Sequence, residues 1–238
     1  METDLVVLAD AGALAAEATR RVVAAAQQAV AARGRFSLVL AGGSTPKALY
    51  RLLATACLPW PQTSLFWGDE RCVPPGHGES NYRLAHETLL AHVPVPPGQV
   101  HRMRGEWEPR QAAQAYDRLL RELFRGPRPD FDLALLGMGA DGHTASLFPG
   151  SAALVEDTRL ALAVAADYGG RPAQRVTLTL PALNAARQVL FLVSGADKAD
   201  AVRAVWVDED SRLPARRVRP VAGRLTWLLD QAAAAGLG

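Results

Sequence analysis

The chain has 238 residues, long for one domain, and 49% of them are hydrophobic, enough for a sizeable core and too many for a disordered polymer. Its 26 basic and 24 acidic side chains leave a net charge of +2, which argues against a dedicated nucleic-acid or membrane-surface binder. No run reaches the ~20 apolar residues of a membrane span. The acidic start METDLVVLAD lacks the basic segment of a secretory signal, and two cysteines, Cys57 and Cys72, cannot staple a chain of this size. A reduced, cytoplasmic protein is expected.

Helices and strands alternate. Residues 11–33 are Ala-rich and predict a helix stopped by Gly34. FSLVLA (36–41) predicts a short buried strand, GGSTP a turn, and 46–57 a helix with Pro46 at its first position. A strand is predicted over 63–69, a helix over 81–93 capped by Ser80, and an amphipathic helix over 108–124. FDLALLG (131–137) predicts a buried strand, and QRVTLTL (174–180) alternates as an antiparallel or subdomain strand does. QVLFLVSG (188–195) has the apolar character of a central strand, DKADAVRAVWV (197–207) reads as a helix, and RLTWLLD (224–230) fits either type. This order implies an α/β fold: a mainly parallel, Rossmann-like sheet with helices on both faces. One domain spanning 1–238 is expected, with a small additional lobe around 150–185.

Ligands of such sheets bind outside the carboxyl ends of the strands, which singles out the loops 42–46, 68–81, 137–149 and 194–198. In the first, Gly42 and Gly43 let the backbone approach an anion, Ser44 and Thr45 supply hydroxyls, and the next helix offers free N–H groups. An ordinary capped turn has the same sequence. In the second, Asp69 and Arg71 flank Glu70, where carboxylates hold sugar hydroxyls and a guanidinium neutralises an anion, or where a strand end is merely solvated. The third, GMGADGHTASLFPG, places His143 in a glycine-rich loop directly after a buried strand, a useful position for a base titrating near neutrality. Arg175 and Lys198 each read as surface charges alone; with GGST they give a phosphate two cations besides hydroxyl and amide donors. Neither zinc-like Cys/His spacing nor a GxSxG elbow occurs, so a metal site and a serine triad find no support.

LAGGSTPKALY, FWGDERCVPPGHGESNYR, FDLALLGMGADGHTASLFPG, PAQRVTLTLPALN and LVSGADKADAV follow one another from about residue 36 to 207. In this order and spacing they resemble the 6-phosphogluconolactonase family, within the glucosamine/galactosamine-6-phosphate isomerase superfamily. The resemblance implies the fold shared with glucosamine-6-phosphate deaminase and ribose-5-phosphate isomerase. It also implies hydrolysis of 6-phospho-D-glucono-1,5-lactone to 6-phosphogluconate in the oxidative pentose phosphate pathway, without metal or organic cofactor. It makes His143 the general base; Asp141, two residues away in the sequence, is a candidate to orient it, although adjacency alone does not establish contact. It puts Gly42, Gly43, Ser44, Thr45, Arg175 and Lys198 on the phosphate, and Asp69 and Arg71 at the sugar and carbonyl end. The expected partner is a small sugar phosphate, with no nucleic acid or membrane, and the expected state a monomer with at most weak self-association. The alternative is an isomerase or deaminase of the same fold. The deaminase pattern carries a glutamate shortly after the histidine, in a sequence resembling FNEP; here TASLFPGS holds no carboxylate before Glu156. A sugar-phosphate sensor would need a DNA-reading segment, and the 35 residues before the first predicted strand hold one helix and no room for a second.

Overall fold

The computed structural model describes residues 2–167 and 169–237. In chain order the first elements are β1 (Glu2–Leu8), α1 (Ala11–Arg33), β2 (Phe36–Leu40), α2 (Ser44–Leu53), β3 (Thr63–Trp67), β4 (Asp69–Arg71), α3 (Asn81–Thr88) and β5 (Val100–His101). They are followed by α4 (Pro109–Phe124), β6 (Leu133–Leu136), β7 (Ala161–Ala165), β8 (Gln174–Leu178), α5 (Leu180–Leu183), β9 (Gln188–Val193), α6 (Ala199–Trp206) and β10 (Arg224–Asp230). Among the described residues, seven strands form a parallel sheet in the order β1-β10-β9-β6-β2-β3-β5. A second, antiparallel sheet has the order β4-β8-β7. It is the additional lobe.

The central strands show why the sheet is covered. Every residue of β2 and β6 is buried, so neither face of the sheet's middle meets water, as continuous apolar runs require. The helix α1 supplies part of the cover: Leu14, Ala18, Val22, Ala25 and Ala29 recur at helical spacing on its buried face. The Asp10 carboxylate accepts the Ala13 N–H at its start, and Gly34, at φ 70°, ends it in the left-handed conformation.

Several boundaries differ from the sequence expectation. The acidic start is strand β1, paired in parallel with β10, so the first 35 residues hold a strand as well as a helix. The helix expected from Pro46 begins two residues earlier, with Ser44 first and Pro46 third; Gly43, at φ 109°, turns the chain into it. The strand expected over 63–69 breaks at Gly68, whose N–H bonds back to Leu40 in the large sheet while its carbonyl accepts the N–H of Leu178 in the small one. Gly68 is thus the joint between the two sheets. QRVTLTL is antiparallel as expected, and RLTWLLD is a strand.

Chain direction across the sheet reverses at β2. From β2 the chain steps outward to β3 and β5, then returns to β6 on the other side of β2. The loops leaving β2 and β6 therefore diverge from a common gap, the topological switch point at which such sheets bind ligands.

Candidate active site

Glycines, helix ends and the small sheet together enclose a cavity of about 440 Å³ at that gap. Its lining includes Gly42, Gly43, Ser44, Thr45, Asp69, Arg71, His143, Arg175 and Lys198, which brings together nine of the ten site residues expected from sequence. Asp141, the tenth, stands behind His143 instead of lining the cavity.

The turn after β2 is held from beneath. The Tyr50 hydroxyl donates to the Ala41 carbonyl (2.6 Å) and accepts the Ala41 N–H (2.9 Å), fixing the residue before the glycines. No side chain caps α2, so the N–H groups of its first turn remain available to an anion, with the positive end of the helix dipole behind them.

The strand β4 sorts its three residues by alternation. Asp69 and Arg71 face the cavity, opposite Thr177 and Arg175 of β8. Glu70 points the other way. Its carboxylate accepts the backbone N–H groups of Arg71, Asn81 and Tyr82 and the Ser80 hydroxyl, tying β4 to the start of α3. Burial pushes the Glu70 carboxyl up in spite of these bonds. Asp69 is fixed by two donors, Asn81 Nδ2 at 3.0 Å and the Ser146 hydroxyl at 2.6 Å.

Two guanidinium groups stand opposite each other in the β4–β8 ladder, a costly pairing unless something negative joins them. Arg175 is only 2% exposed, and its Nε and NH2 atoms bond to none of the described residues. Arg71 donates to the Glu79 carbonyl at 2.6 Å through NH1, while its buried Nε has no partner among the described residues. Guanidinium groups that line a polar cavity and keep unused hydrogen-bonding capacity suit an anion site. Burial holds the Arg175 guanidinium below its ordinary value, with Asp69 opposing. Arg171, from the β7–β8 connection, adds a third guanidinium to the lining. Lys198 joins the cavity from the loop after β9, its Nζ 2.8 Å from Asp197. That loop is pinned by Asp230, which accepts the Ser194 hydroxyl and the Gly195 N–H. Burial pushes the Asp230 carboxyl up, but the bonds from Ser194, Ala233 and Gly195 outweigh it and hold it below the usual range.

His143 occupies the loop after β6. Its Nδ1 lies 2.6 Å from Asp141 Oδ1, which also accepts the His143 backbone N–H at 3.1 Å. A carboxylate can only accept, so Nδ1 carries the proton and the lone pair sits on Nε2, the form required of a base. One face of the ring stacks on Phe148, with centroids 4.4 Å apart, and the Arg175 guanidinium lies 5.4 Å from the same Phe148 ring. Burial holds the His143 imidazole below its ordinary value; the Asp141 and Asp69 carboxylates pull it upward and Arg175 pushes it down. The net effect is a neutral ring at pH 7. Activity that depends on this ring is expected to fall as pH drops through a midpoint below the ordinary value of ~6.5. A profile of kcat/KM against pH, corrected for uncatalysed reaction, measures that midpoint.

Asn81, Ser146, Phe148 and Arg171 were not expected from sequence. Asn81 carried a faint signal, being one of two asparagines in the chain and adjacent to the capping Ser80. Ser146 meets Asp69 across 77 residues, Phe148 meets His143 within one loop and Arg175 across the fold, and Arg171 comes from the β7–β8 connection. A roomier groove, about 640 Å³, runs beside α4 and β7, but its arginines, Arg110, Arg118 and Arg159, are all exposed. Among the described residues no group of three His, Cys, Asp or Glu side chains is placed to hold a metal ion. Nor is any helix among them long and apolar enough to cross a membrane.

Residues 9–227 match the family model described as glucosamine-6-phosphate isomerases/6-phosphogluconolactonase. The chain belongs to this family. Among its relatives, the 6-phosphogluconolactonase of Synechocystis is 44% identical over 216 residues, covering 88% of both chains. The human 6-phosphogluconolactonase is 45% identical over 210 residues, covering 85% of this chain and 81% of its own. In three dimensions the Trypanosoma brucei 6-phosphogluconolactonase superposes with a TM-score of 0.88 at 31% identity, over 100% of this chain and 99% of that one. A monomeric glucosamine-6-phosphate deaminase shares the family fold, with a TM-score of 0.83 at 21% identity over 99% of this chain and 100% of its own.

Proposed function

We propose that this family member hydrolyses 6-phospho-D-glucono-1,5-lactone to 6-phospho-D-gluconate, with His143 as general base. The observation that carries the proposal is the Asp141–His143 pair, set at the edge of a cavity whose other walls supply guanidinium groups with unused hydrogen-bonding capacity and an uncapped helix start. One end accepts a proton and the rest accepts a phosphate.

In the proposed reaction the uncapped start of α2, the hydroxyls of Ser44 and Thr45, Arg175 and Lys198 hold the phosphate, and the ring extends toward His143. His143 Nε2 takes a proton from water as its oxygen attacks the lactone carbonyl carbon. Charge gathers on the carbonyl oxygen, where Arg71 stabilises it, with Asp69 on the sugar hydroxyls. The tetrahedral intermediate collapses, the bond to the ring oxygen breaks, and the imidazolium returns its proton to that oxygen as it becomes a hydroxyl. No redox partner or metal is required in this scheme. The whole chain is read as one domain acting as a cytoplasmic monomer on a small sugar phosphate.

Phe148 favours this reading over the deaminase alternative. The loop after His143 presents an aromatic ring to the imidazole, whereas the first carboxylate, Glu156, bonds the N–H groups of Thr158 and Arg159 and lines a different cavity. The deciding experiment generates the lactone enzymatically and measures whether added protein speeds its disappearance. No acceleration would refute the reading, as would ammonia release from glucosamine 6-phosphate without lactone turnover.

Neutralising Arg175 as Arg175→Met is expected to raise KM about tenfold or more with a smaller change in kcat, the effect of losing a charged hydrogen-bonding partner. Lys198→Met shifts KM less, because Asp197 already shares that charge. The same assay on unphosphorylated gluconolactone supplies the control: wild-type efficiency there must be far lower.

A further inference from the structure

We propose that Asn81 contacts the substrate directly and selects a ring hydroxyl lying between the phosphate-binding turn and Asp69. This deepens the lactonase reading and rests on it. Asn81 is 2% exposed and lines the cavity. Its backbone N–H is fixed by Glu70 Oε1 at 2.7 Å, and its Nδ2 donates to both the carbonyl (2.9 Å) and the carboxylate (3.0 Å) of Asp69. Both of those partners are acceptors, which settles the orientation of the amide: nitrogen toward Asp69, oxygen away.

The oxygen is the informative end. No described residue donates to Asn81 Oδ1, and it lies directly over the turn, so close that a Cβ on Gly42 would sit 2.0 Å from it. Gly42 is therefore glycine to make room for this amide. Asn81 is buried but this oxygen is not sealed off by protein: it opens onto the cavity the residue lines, and takes its donor from whatever fills that cavity. The phosphate cannot be that partner, because its oxygens would face an amide oxygen and a carboxylate, both acceptors. A neutral hydroxyl can: it donates to Asn81 Oδ1. The position, beside the turn at one end and Asp69 at the other, assigns it to a hydroxyl on the carbons between the phosphate and the carbonyl.

The test is a thermodynamic cycle. Lactones made from the 2-, 3- and 4-deoxy forms of glucose 6-phosphate are compared with the parent on the wild type and on Asn81→Ala. For one of the three, the wild type should lose about tenfold or more in kcat/KM, the size of a buried hydrogen bond deleted on one side. Asn81→Ala should lose a similar factor on the parent but treat that deoxy lactone and the parent within about twofold, since the two deletions remove one interaction. Asn81→Ser serves the same cycle should the alanine variant fail to fold by circular dichroism. Losses that simply multiply for all three deoxy lactones overturn the assignment and leave water as the partner of Oδ1. A wild type that does not accelerate opening of the parent lactone brings down the lactonase reading itself, which the same plate of measurements separates from the first outcome.

Discussion

Replacing His143 by alanine is expected to lower kcat for lactone opening by about 10²–10⁴-fold, the contribution of a well-placed acid–base group. The affinity for 6-phosphogluconate should change little, because the phosphate grip lies on α2, β8 and the loop after β9 and does not involve the imidazole. The two quantities separate cleanly. Turnover is read from a coupled assay with the spontaneous rate subtracted, and product affinity from calorimetry. Equal turnover by variant and wild type would remove His143 from the mechanism. Asp141→Asn offers a graded companion: an amide at that position can donate to Nδ1, favouring the tautomer with its lone pair on the wrong nitrogen. It should slow turnover while leaving product binding intact.

Much of this site was legible in the sequence, and the reason is topological. In a parallel sheet the residues just after each strand converge at one edge, so locating FSLVLA, TSLFW, FDLALL and QVLFLV located GGST, Asp69, His143 and Lys198 as neighbours. The parts that escaped are those set by contacts across the chain. Strand β4 is three residues long, too short for any periodicity, and exists because β8 pairs with it. Strand β1 lies at the sheet's edge with Leu5 and Val7 exposed, and its apolar cluster follows acidic residues that do not suggest a strand. Phe148 reads as one more apolar residue in a loop until the fold lays it against His143 and Arg175.

Gly139 gives the sharpest test of the geometry around the base. A Cβ built there would fall 2.1 Å from His143 Nδ1 and 2.6 Å from Asp141 Oδ1, inside the hydrogen bond that sets the tautomer. Its φ is not in the left-handed region, so the backbone itself tolerates alanine. The three atoms nearest that position all belong to the dyad. Gly139→Ala therefore has to push the imidazole off Asp141, and its loss of kcat should approach the roughly 10²–10⁴-fold expected for removing the base. Gly137, two residues earlier in the same loop, has nothing within 4 Å of its Cβ position and likewise no positive φ. Gly137→Ala should keep most of the wild-type rate. Because both substitutions add one methyl to one loop, a general softening of the loop would depress both rates alike. Loss confined to position 139, with unchanged melting temperature at 137, ties the rate to the placement of the imidazole against its carboxylate. Full activity in Gly139→Ala would show that the pair contributes nothing to turnover.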